Sequence, residues 1–360
     1  MICLNQINEL NMNHILISPK SSIRDSMDLL DKSSEKCLLV VDKKKLIGTL
    51  TDGDVRRAIL SGNKISGSIS NVFNGSPFYI FKSEIENFNI KEIFQKKGIS
   101  VIPIVNDDLT IVDCLIKNKL KNIGLNEKKL NNVPVVIMAG GKGTRMKPFT
   151  TVLPKPLVPI KDRPIIELII DKFINVGCVN YYLTLNYKKK IMKAYFEELD
   201  YEYNLNFIEE SEFLGTAGSL KLLVKEIHEP FFVSNCDILV DADYKDLYDF
   251  HINGKFDLTL VVASKEYLIP YGSCELNEDG TLSHISEKPK IEILANSGLY
   301  VINPEILKYI PEDCFFHITH LIETIKDKGF RVGVYPISER AWLDIGEWNE
   351  YKSTLEKMSQ

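Results

Sequence analysis

Three glycines, a threonine and two separated cations mark the first place in this sequence where chemistry can be read. Gly140-Gly141-Lys142-Gly143-Thr144-Arg145 follows directly on the apolar run Val133-Pro-Val-Val-Ile-Met-Ala139, and Lys155-Pro156 lies shortly beyond. Glycine lets backbone come close to a ligand and take up positive φ. Successive N–H groups can then surround phosphate oxygens. Arg145 adds a planar donor fork and Lys155 a mobile point charge. The spacing is neither G-x-x-x-x-G-K-[ST] nor G-x-G-x-x-G, so the P-loop and dinucleotide fingerprints both fail. The competing reading is a structural turn with incidental charges.

Other candidates are weaker taken singly. Phe213-Leu-Gly-Thr-Ala-Gly-Ser219 has two glycines and a hydroxyl, and reads equally as the start of a helix. Asn235-Cys-Asp237 follows the apolar run Phe231–Ser234, where an aspartate serves as helix cap or metal ligand alike. Glu287-Lys288-Pro289 alone is an exposed charged turn. Asp241-x-Asp243 could mimic the metal motif of a glycosyltransferase, yet an acidic start to the next helix explains it. His317-x-x-His320 lacks further metal ligands, and Tyr187-Lys-Lys-Lys190 reads as a solvated helix start.

These groups need elements to hold them. The segment 133–360 alternates strands (134–139, 180–185, 205–209, 231–235, 257–263, 331–335) with helices (164–175, 188–199, 217–226, 243–250). That pattern implies an α/β domain with a mostly parallel sheet and a ligand site beyond the carboxyl ends of its strands. The polar stretch 125–132 reads as a linker. Residues 1–124 hold a duplicated unit of helix, two strands and helix. One copy has helix Ile23–Leu30, strands Cys37–Val41 and Leu46–Thr51, and helix Asp54–Leu60. The other has helix Ile85–Lys96, strands Ile99–Val105 and Thr110–Asp113, and a short helix near Leu115–Leu120. Neither copy buries a core alone, so the two should pack together.

The chain has 360 residues, 44% hydrophobic and 26% charged, with a formal net charge of -5. The acidic balance argues against nucleic-acid and anionic-membrane partners. Seven scattered cysteines without a C-x-x-C pair read as thiols in a reducing compartment. The N-terminus lacks the layout of a signal peptide, and no apolar run approaches the ~20 residues of a membrane span. A cytoplasmic protein is expected.

The run MAGGKGTRMKPFTTVLPKPLVPI (138–160) resembles the signature loop of the sugar-nucleotidyltransferase family, which has a Rossmann-like fold with a mixed sheet. The later motifs recur in that family's order, so the resemblance covers 133–360. It implies that Ala139, Gly140, Gly141, Gly143, Thr144, Gly215 and Thr216 contact the nucleotide. It implies that Tyr271, Gly272, Glu287, Lys288 and Asn296 hold the sugar phosphate. Asp237 and Asp344, the latter within Trp342-Leu-Asp-Ile-Gly346, resemble the family's Mg²⁺ ligands, and Arg145, Lys155 and Asp237 its catalytic set. Cys236 departs from the family's usual glycine, and Asn296-Ser-Gly298 from its Asn-Ala-Gly. The reaction implied is attack of a sugar 1-phosphate oxygen on the α-phosphorus of an NTP, with pyrophosphate leaving.

In the front segment, Gly48-Thr-Leu-Thr-Asp-Gly-Asp54 resembles the ribose-phosphate motif of cystathionine-β-synthase (CBS) domains. A CBS pair over 1–124 is implied, with Thr49 and Asp54 on an adenosine nucleotide. A β-turn with Asp54 as a helix cap is the alternative. Thr110-Ile-Val-Asp113 lacks the preceding glycine, so the second copy offers a poorer site. The domain order resembles guanylyltransferases acting on glucosamine 1-phosphate in the GDP-sugar route to legionaminic acid. Mannose- or heptose-1-phosphate guanylyltransferases, and uridylyl-, thymidylyl- or cytidylyltransferases, are alternatives. An inactive nucleotide-sensing regulatory protein is the rival of another class. A homo-oligomer is expected.

Overall fold

A computed structural model describes residues 12–33, 35–117 and 129–357. The chain falls into two compact units, Met1–Glu127 and Lys128–Gln360.

The front unit contains β1 (Leu16–Ile17), α1 (Ile23–Lys32), β2 (Cys37–Asp42), β3 (Lys45–Thr51) and α2 (Asp52–Leu60). It continues with β4 (Ile80–Phe81), α3 (Ile90–Lys97), β5 (Val101–Val105) and β6 (Ile111–Ile116). The two halves repeat one pairing scheme. β2 lies parallel to β1 and antiparallel to β3, and β5 lies parallel to β4 and antiparallel to β6. Val101, Val105, Cys114 and Ile116 of the second half pack into the cluster built by Ile23, Leu30, Leu38 and Leu50 of the first. The halves thus share a core.

Two sequence expectations shift here. The helix expected over Ile85–Lys96 is a 3-10 turn, Lys82–Asn87, followed by α3. Asn89 restarts the backbone by accepting from Glu92 N at 3.4 Å. The helix expected near Leu115 is instead the end of β6, where Leu115 pairs with Ile102 and Ile116 with Val101. The period-two burial of Cys114 and Ile116 suits a strand. Residues 118–120 of that expectation lie outside the described residues.

The second unit begins with β7 (Val135–Met138), α4 (Phe149–Val152), β8 (Pro159–Ile160), β9 (Arg163–Pro164) and α5 (Ile165–Asn175). β10 (Asn180–Leu185), α6 (Lys189–Glu197), β11 (Asn204–Glu209), α7 (Gly215–Gly218), β12 (Phe231–Asn235), β13 (Ile238–Val240) and α8 (Tyr244–Asn253) follow. Then come β14 (Leu258–Leu268), β15 (Ser273–Leu276), β16 (Leu282–Ser286), β17 (Lys290–Ile302), α9 (Ile318–Asp327), β18 (Val332–Ser338), β19 (Trp342–Asp344) and α10 (Trp348–Lys357).

Seven strands form one sheet in the order β11-β10-β7-β12-β17-β14-β18. β17 alone runs against its neighbours. β7 is buried on both faces, with Val135 and Ile137 in one apolar layer and Val136 and Met138 in the other, which is why its sequence is an unbroken apolar run. The chain steps from β7 outward to β10 and β11, then returns to β12 on the other side of β7. The ends of β7, β10 and β12 therefore flank a crevice where the strand order reverses, the usual ligand position in such sheets. Leu130, expected in a linker, is buried in this unit's core, and its N–H donates to Val176 O at 2.9 Å. No helix among the described residues is long and apolar enough to cross a membrane.

One buried histidine ties α8 to the sheet. His251 Nδ1 lies 2.9 Å from Thr259 Oγ1 and Nε2 3.1 Å from Asn303 Oδ1, while Asn303 Nδ2 donates to Phe256 O. With Oδ1 accepting, Nε2 carries the proton and Nδ1 accepts from the threonine hydroxyl. Burial, opposed by the Asn303 bond and the Asp257 charge, holds the imidazole below its usual 6.5. Its folded-state stabilisation is therefore complete above the unfolded value and is lost as pH falls through the folded one. His251→Leu should lower stability by about 1–3 kcal/mol by orphaning Thr259 and Asn303. It should also flatten the fall of the melting temperature between about pH 6.5 and 5, measured by calorimetry.

Candidate active site

The glycine loop leaves the end of β7 inside the crevice. Ala139 N donates to Thr184 O at 3.0 Å, and Gly140 O accepts from Tyr187 N at 3.3 Å. A Cβ on Gly140 would lie 2.6 Å from Glu210 Oε1, so that carboxyl would have to move aside. Gly143 has φ +62°, and a Cβ would meet Thr150 Cγ2 at 2.8 Å. Gly141 faces open space, and Thr144 is exposed. The loop so presents backbone to the crevice, as phosphate binding needs.

The turn beyond it is held from below. Thr150 Oγ1 donates to Gly143 O at 2.7 Å, and Lys188 Nζ donates to Thr151 O at 2.6 Å. Lys188, expected on a solvated helix start, is thus a clamp on this turn. Phe149 packs on Trp348 and Tyr351 of α10, with ring centroids 5.2 and 6.1 Å away. Arg145 Nη1 donates to Glu347 Oε1 at 2.8 Å on the surface. Glu347, Lys188 and the Phe149 contacts carry no sequence motif, and only packing reveals them.

Lys155 lies on the short turn Lys155–Leu157 and is 8% exposed. Its Nζ pairs with Asp237 Oδ2. β13 and β19 form a small antiparallel ladder that sets Ile238 opposite Asp344, and Ile345 N donates to Asp237 O at 2.9 Å. The two aspartates, far apart in sequence, are thereby neighbours. A Cβ on Gly346 would lie 2.9 Å from Asp344 Oδ1, 3.0 Å from Asp237 Oδ2 and 3.4 Å from Lys155 Nζ, so the three charged groups meet around its Cα. Gly346 N donates to Asp344 Oδ1 at 2.6 Å. Burial pushes the Asp344 carboxyl up; Asp237 and Glu350 add to this, while Gly346 N–H and Lys155 oppose it. Two carboxylates against one ammonium leave an uncompensated negative charge, which suits a hard cation completing its shell with water and phosphate oxygens. Among the described residues no group of three or more His, Cys, Asp or Glu forms a protein-only metal cage.

The remaining sequence candidates divide. Thr216 Oγ1 accepts from Ile318 N at 2.9 Å, capping the start of α9, and keeps its own proton for another acceptor. Gly215 has φ +78° and lies against Phe316 O. Tyr271 and Gly272 stand beside Glu287, because β15 and β16 pair Ser273 with Ser286; a Cβ on Gly272 would lie 3.1 Å from Glu287 Oε2. Tyr271 is 74% exposed, and Lys288 has φ +49°. Asn296 Nδ2 donates to Tyr300 OH at 2.8 Å and Oδ1 accepts from Gly298 N at 3.1 Å, so its side chain already has internal partners.

The minor candidates have structural explanations. Asp243 caps α8 by accepting from Asp246 N at 2.9 Å, and Asp241 pairs with Lys172 at 2.8 Å. His317 N donates to His320 Nδ1 at 3.3 Å at the start of α9. Cys236 is buried beside Asp237 with its thiol pushed up to about 12, chiefly by burial. In the front unit, Asp54 Oδ2 accepts from Thr51 N at 2.9 Å and Oγ1 at 2.7 Å, and Oδ1 pairs with Arg57. Thr49 exchanges backbone bonds with Asn74.

The profile of the Nucleotidyl transferase family matches residues 134–360, and that of the CBS domain residues 7–61. Mannose-1-phosphate guanyltransferase from Pichia angusta is 33% identical over 234 residues, covering 61% of this chain and 62% of the relative. The Saccharomyces cerevisiae protein of the same name is 35% identical over 233 residues, with coverage of 61% and 62%. The chain thus spans under two thirds of the length of these curated relatives. The crystal structure of HddC from Yersinia pseudotuberculosis complexed with GMP-PN is 27% identical, with a TM-score of 0.50 over 63% of this chain and 99% of that one. The family match runs from the glycine loop through both aspartates to the end of the chain: behind its CBS domain, this protein belongs to the nucleotidyl transferase family.

Proposed function

We propose that the protein transfers a guanylyl group from GTP to a sugar 1-phosphate in the cytoplasm. The observation that carries this reading is the meeting of Lys155, Asp237 and Asp344 around Gly346, in the same unit as the glycine loop. A phosphate oxygen of the sugar 1-phosphate forms a bond to the α-phosphorus, the bond to the bridging oxygen breaks, and pyrophosphate leaves with that electron pair. Such transfer depends on positioning and charge neutralisation rather than on a nucleophilic side chain. Backbone N–H groups from Gly140 to Thr144 hold the triphosphate. Arg145, paired with Glu347 only on the surface, is free to turn its guanidinium to the phosphates. Lys155 is held in place by Asp237 and neutralises charge growing on the α-phosphate. Asp237 and Asp344 would hold Mg²⁺, which supplies further neutralisation of phosphate charge. Glu287 and Lys288, with Tyr271, Gly272 and Asn296, receive the sugar phosphate.

Guanine is favoured by the relatives, which are named mannose-1-phosphate guanyltransferases, and by the GMP-PN complex of HddC. They favour mannose 1-phosphate as acceptor, whereas the domain order favours glucosamine 1-phosphate; a heptose 1-phosphate is the third candidate. We take residues 1–124 as a CBS pair, joined through 125–132 to the transferase domain 133–360. Thr49 and Asp54 are its candidate adenosine-nucleotide contacts, although the bonds of Asp54 to Thr51 and Arg57 equally suit a helix cap.

Incubation with each NTP, Mg²⁺ and a panel of sugar 1-phosphates should release pyrophosphate with GTP and one acceptor. Silence with every pair overturns the transferase reading. EDTA should stop the release and added Mg²⁺ restore it. Asp237→Asn should lower kcat/KM by about 100- to 1000-fold while leaving circular dichroism unchanged; an active variant removes Asp237 from the site. For the front unit, millimolar AMP should raise a thermal transition of the full chain, and Asp54→Ala should abolish the rise. If AMP moves no transition, the adenosine site is wrong.

A further inference from the structure

Lys188 holds a backbone conformation that a lysine does not favour. Its φ is +54° and its ψ 31°, in the left-handed region, and it stands as the N-cap of α6 without a side-chain bond to that helix. Such a position suits glycine, or a short side chain such as asparagine that tolerates the left-handed region and caps the first turn. Other left-handed lysines have a simpler cause. Lys43 and Lys44 lie in the tight turn between β2 and β3, and Lys161 in that between β8 and β9. The start of α6 by itself gives no reason for lysine at 188.

The reason lies at the far end of its side chain. Nζ donates to Thr151 O at 2.6 Å and to Thr150 O at 3.4 Å, and sits 5.3 Å from the centre of the Tyr187 ring. These carbonyls belong to α4, a single turn in which Phe149 O already accepts from Leu153 N. The last carbonyls of a helix need donors from outside it, and a lysine ammonium is one of the groups that supplies them. Tyr187, the preceding residue, donates its N–H to Gly140 O at 3.3 Å and its hydroxyl to Thr150 O at 3.5 Å. Thr150 Oγ1 in turn donates to Gly143 O at 2.7 Å. Residues 187 and 188 therefore hold the glycine loop at both ends, Tyr187 where it leaves β7 and Lys188 where it closes in α4. Thr150 passes the second hold on to Gly143. A strained backbone persists where its surroundings over-determine it, and such residues gather at functional positions. The strained lysine here is the one that reaches the loop.

We propose that Lys188 is a positioning residue for the nucleoside triphosphate: it fixes the loop from Gly140 to Thr151 in the shape that accepts the phosphates, without touching them itself. This rests on the nucleotidyltransferase reading, and the experiment separates the two. The full-length protein is compared with Lys188→Gly, Lys188→Met and Lys188→Arg. Glycine relieves the backbone and removes the clamp, methionine keeps the strain but removes the donors, and arginine keeps charge, reach and donors. The glycine variant should melt within about 4 °C of the native protein, and the methionine variant lower. Without ligand, amides of 143–153 should exchange hydrogen about 10-fold faster in the glycine and methionine variants and at the native rate in the arginine variant. Equilibrium binding of each NTP is then measured. The tightest-binding NTP should weaken by about 10-fold in both clampless variants and by less than about 3-fold with arginine, because an unfixed loop must be ordered on binding. Where turnover is found, KM for the NTP should rise by the same factor, while kcat and the KM for the sugar 1-phosphate hold. Unchanged exchange in the glycine and methionine variants overturns the clamp, whatever the protein binds. Affinity that follows the melting temperature, retained with glycine and lost with methionine, makes Lys188 a residue of the fold alone and overturns the proposal. Equal NTP affinity in native and variant proteins sinks this proposal and leaves the transferase reading standing, whereas a native protein that binds no NTP sinks both.

Discussion

The contact on which the site depends is the buried pairing of Lys155 with Asp237, next to Asp344. A lysine at 8% exposure is tolerated because a carboxylate meets its charge. Among the described residues the second carboxylate meets a backbone N–H and shares that lysine, and its burial is unfavourable to the charged form. The fold sustains this by using Gly346, whose missing side chain leaves room for all three groups. The short ladder of β13 and β19 does the positioning. A cluster prepared with excess negative charge is suited to a ligand that brings cations and phosphates together.

The loop that would meet those phosphates is held at its edges and open in its centre. Thr150 fixes Gly143, Lys188 fixes Thr151, and an aromatic group from α10 covers Phe149. Between these anchors a Cβ on Gly141 would meet nothing within 4 Å, and among the described residues Arg145 pairs with Glu347 at an exposed site, which contributes little in water. Fixed edges with a free centre allow backbone N–H groups to close on a ligand at small entropic cost. Beside Gly140, the Glu210 carboxyl is held by the N–H of Leu214.

The front unit shows how one residue type can answer to two demands. Ser22 with Asp25 and Thr51 with Asp54 form the same reciprocal cap at the starts of α1 and α2. The acidic residue that resembles a ribose ligand is thus also the residue a helix start requires.

Much of this protein was legible locally. The apolar run at 135–138 is unbroken because β7 is buried on both faces, and strand–helix alternation announced the parallel sheet. The glycine loop could be read because its positive φ and close neighbours demand glycine at Gly143. Where expectation failed, a local signal competed with a pairing: Leu115 and Ile116 suit either a helix or a strand, and registration against β5 decided for the strand. The sequence by itself determined the chemical inventory: a glycine loop after a buried strand, two cations, two aspartates and the Glu287-Lys288-Pro289 turn. Tertiary structure alone decided which of these meet. Lys155, Asp237 and Asp344 converge through strand pairing across distant segments, and Lys188 and Glu347 matter through partners remote in sequence. Periodicity and spacing report neighbours along the chain, whereas a charge cluster is defined by distances that only the packed sheet sets.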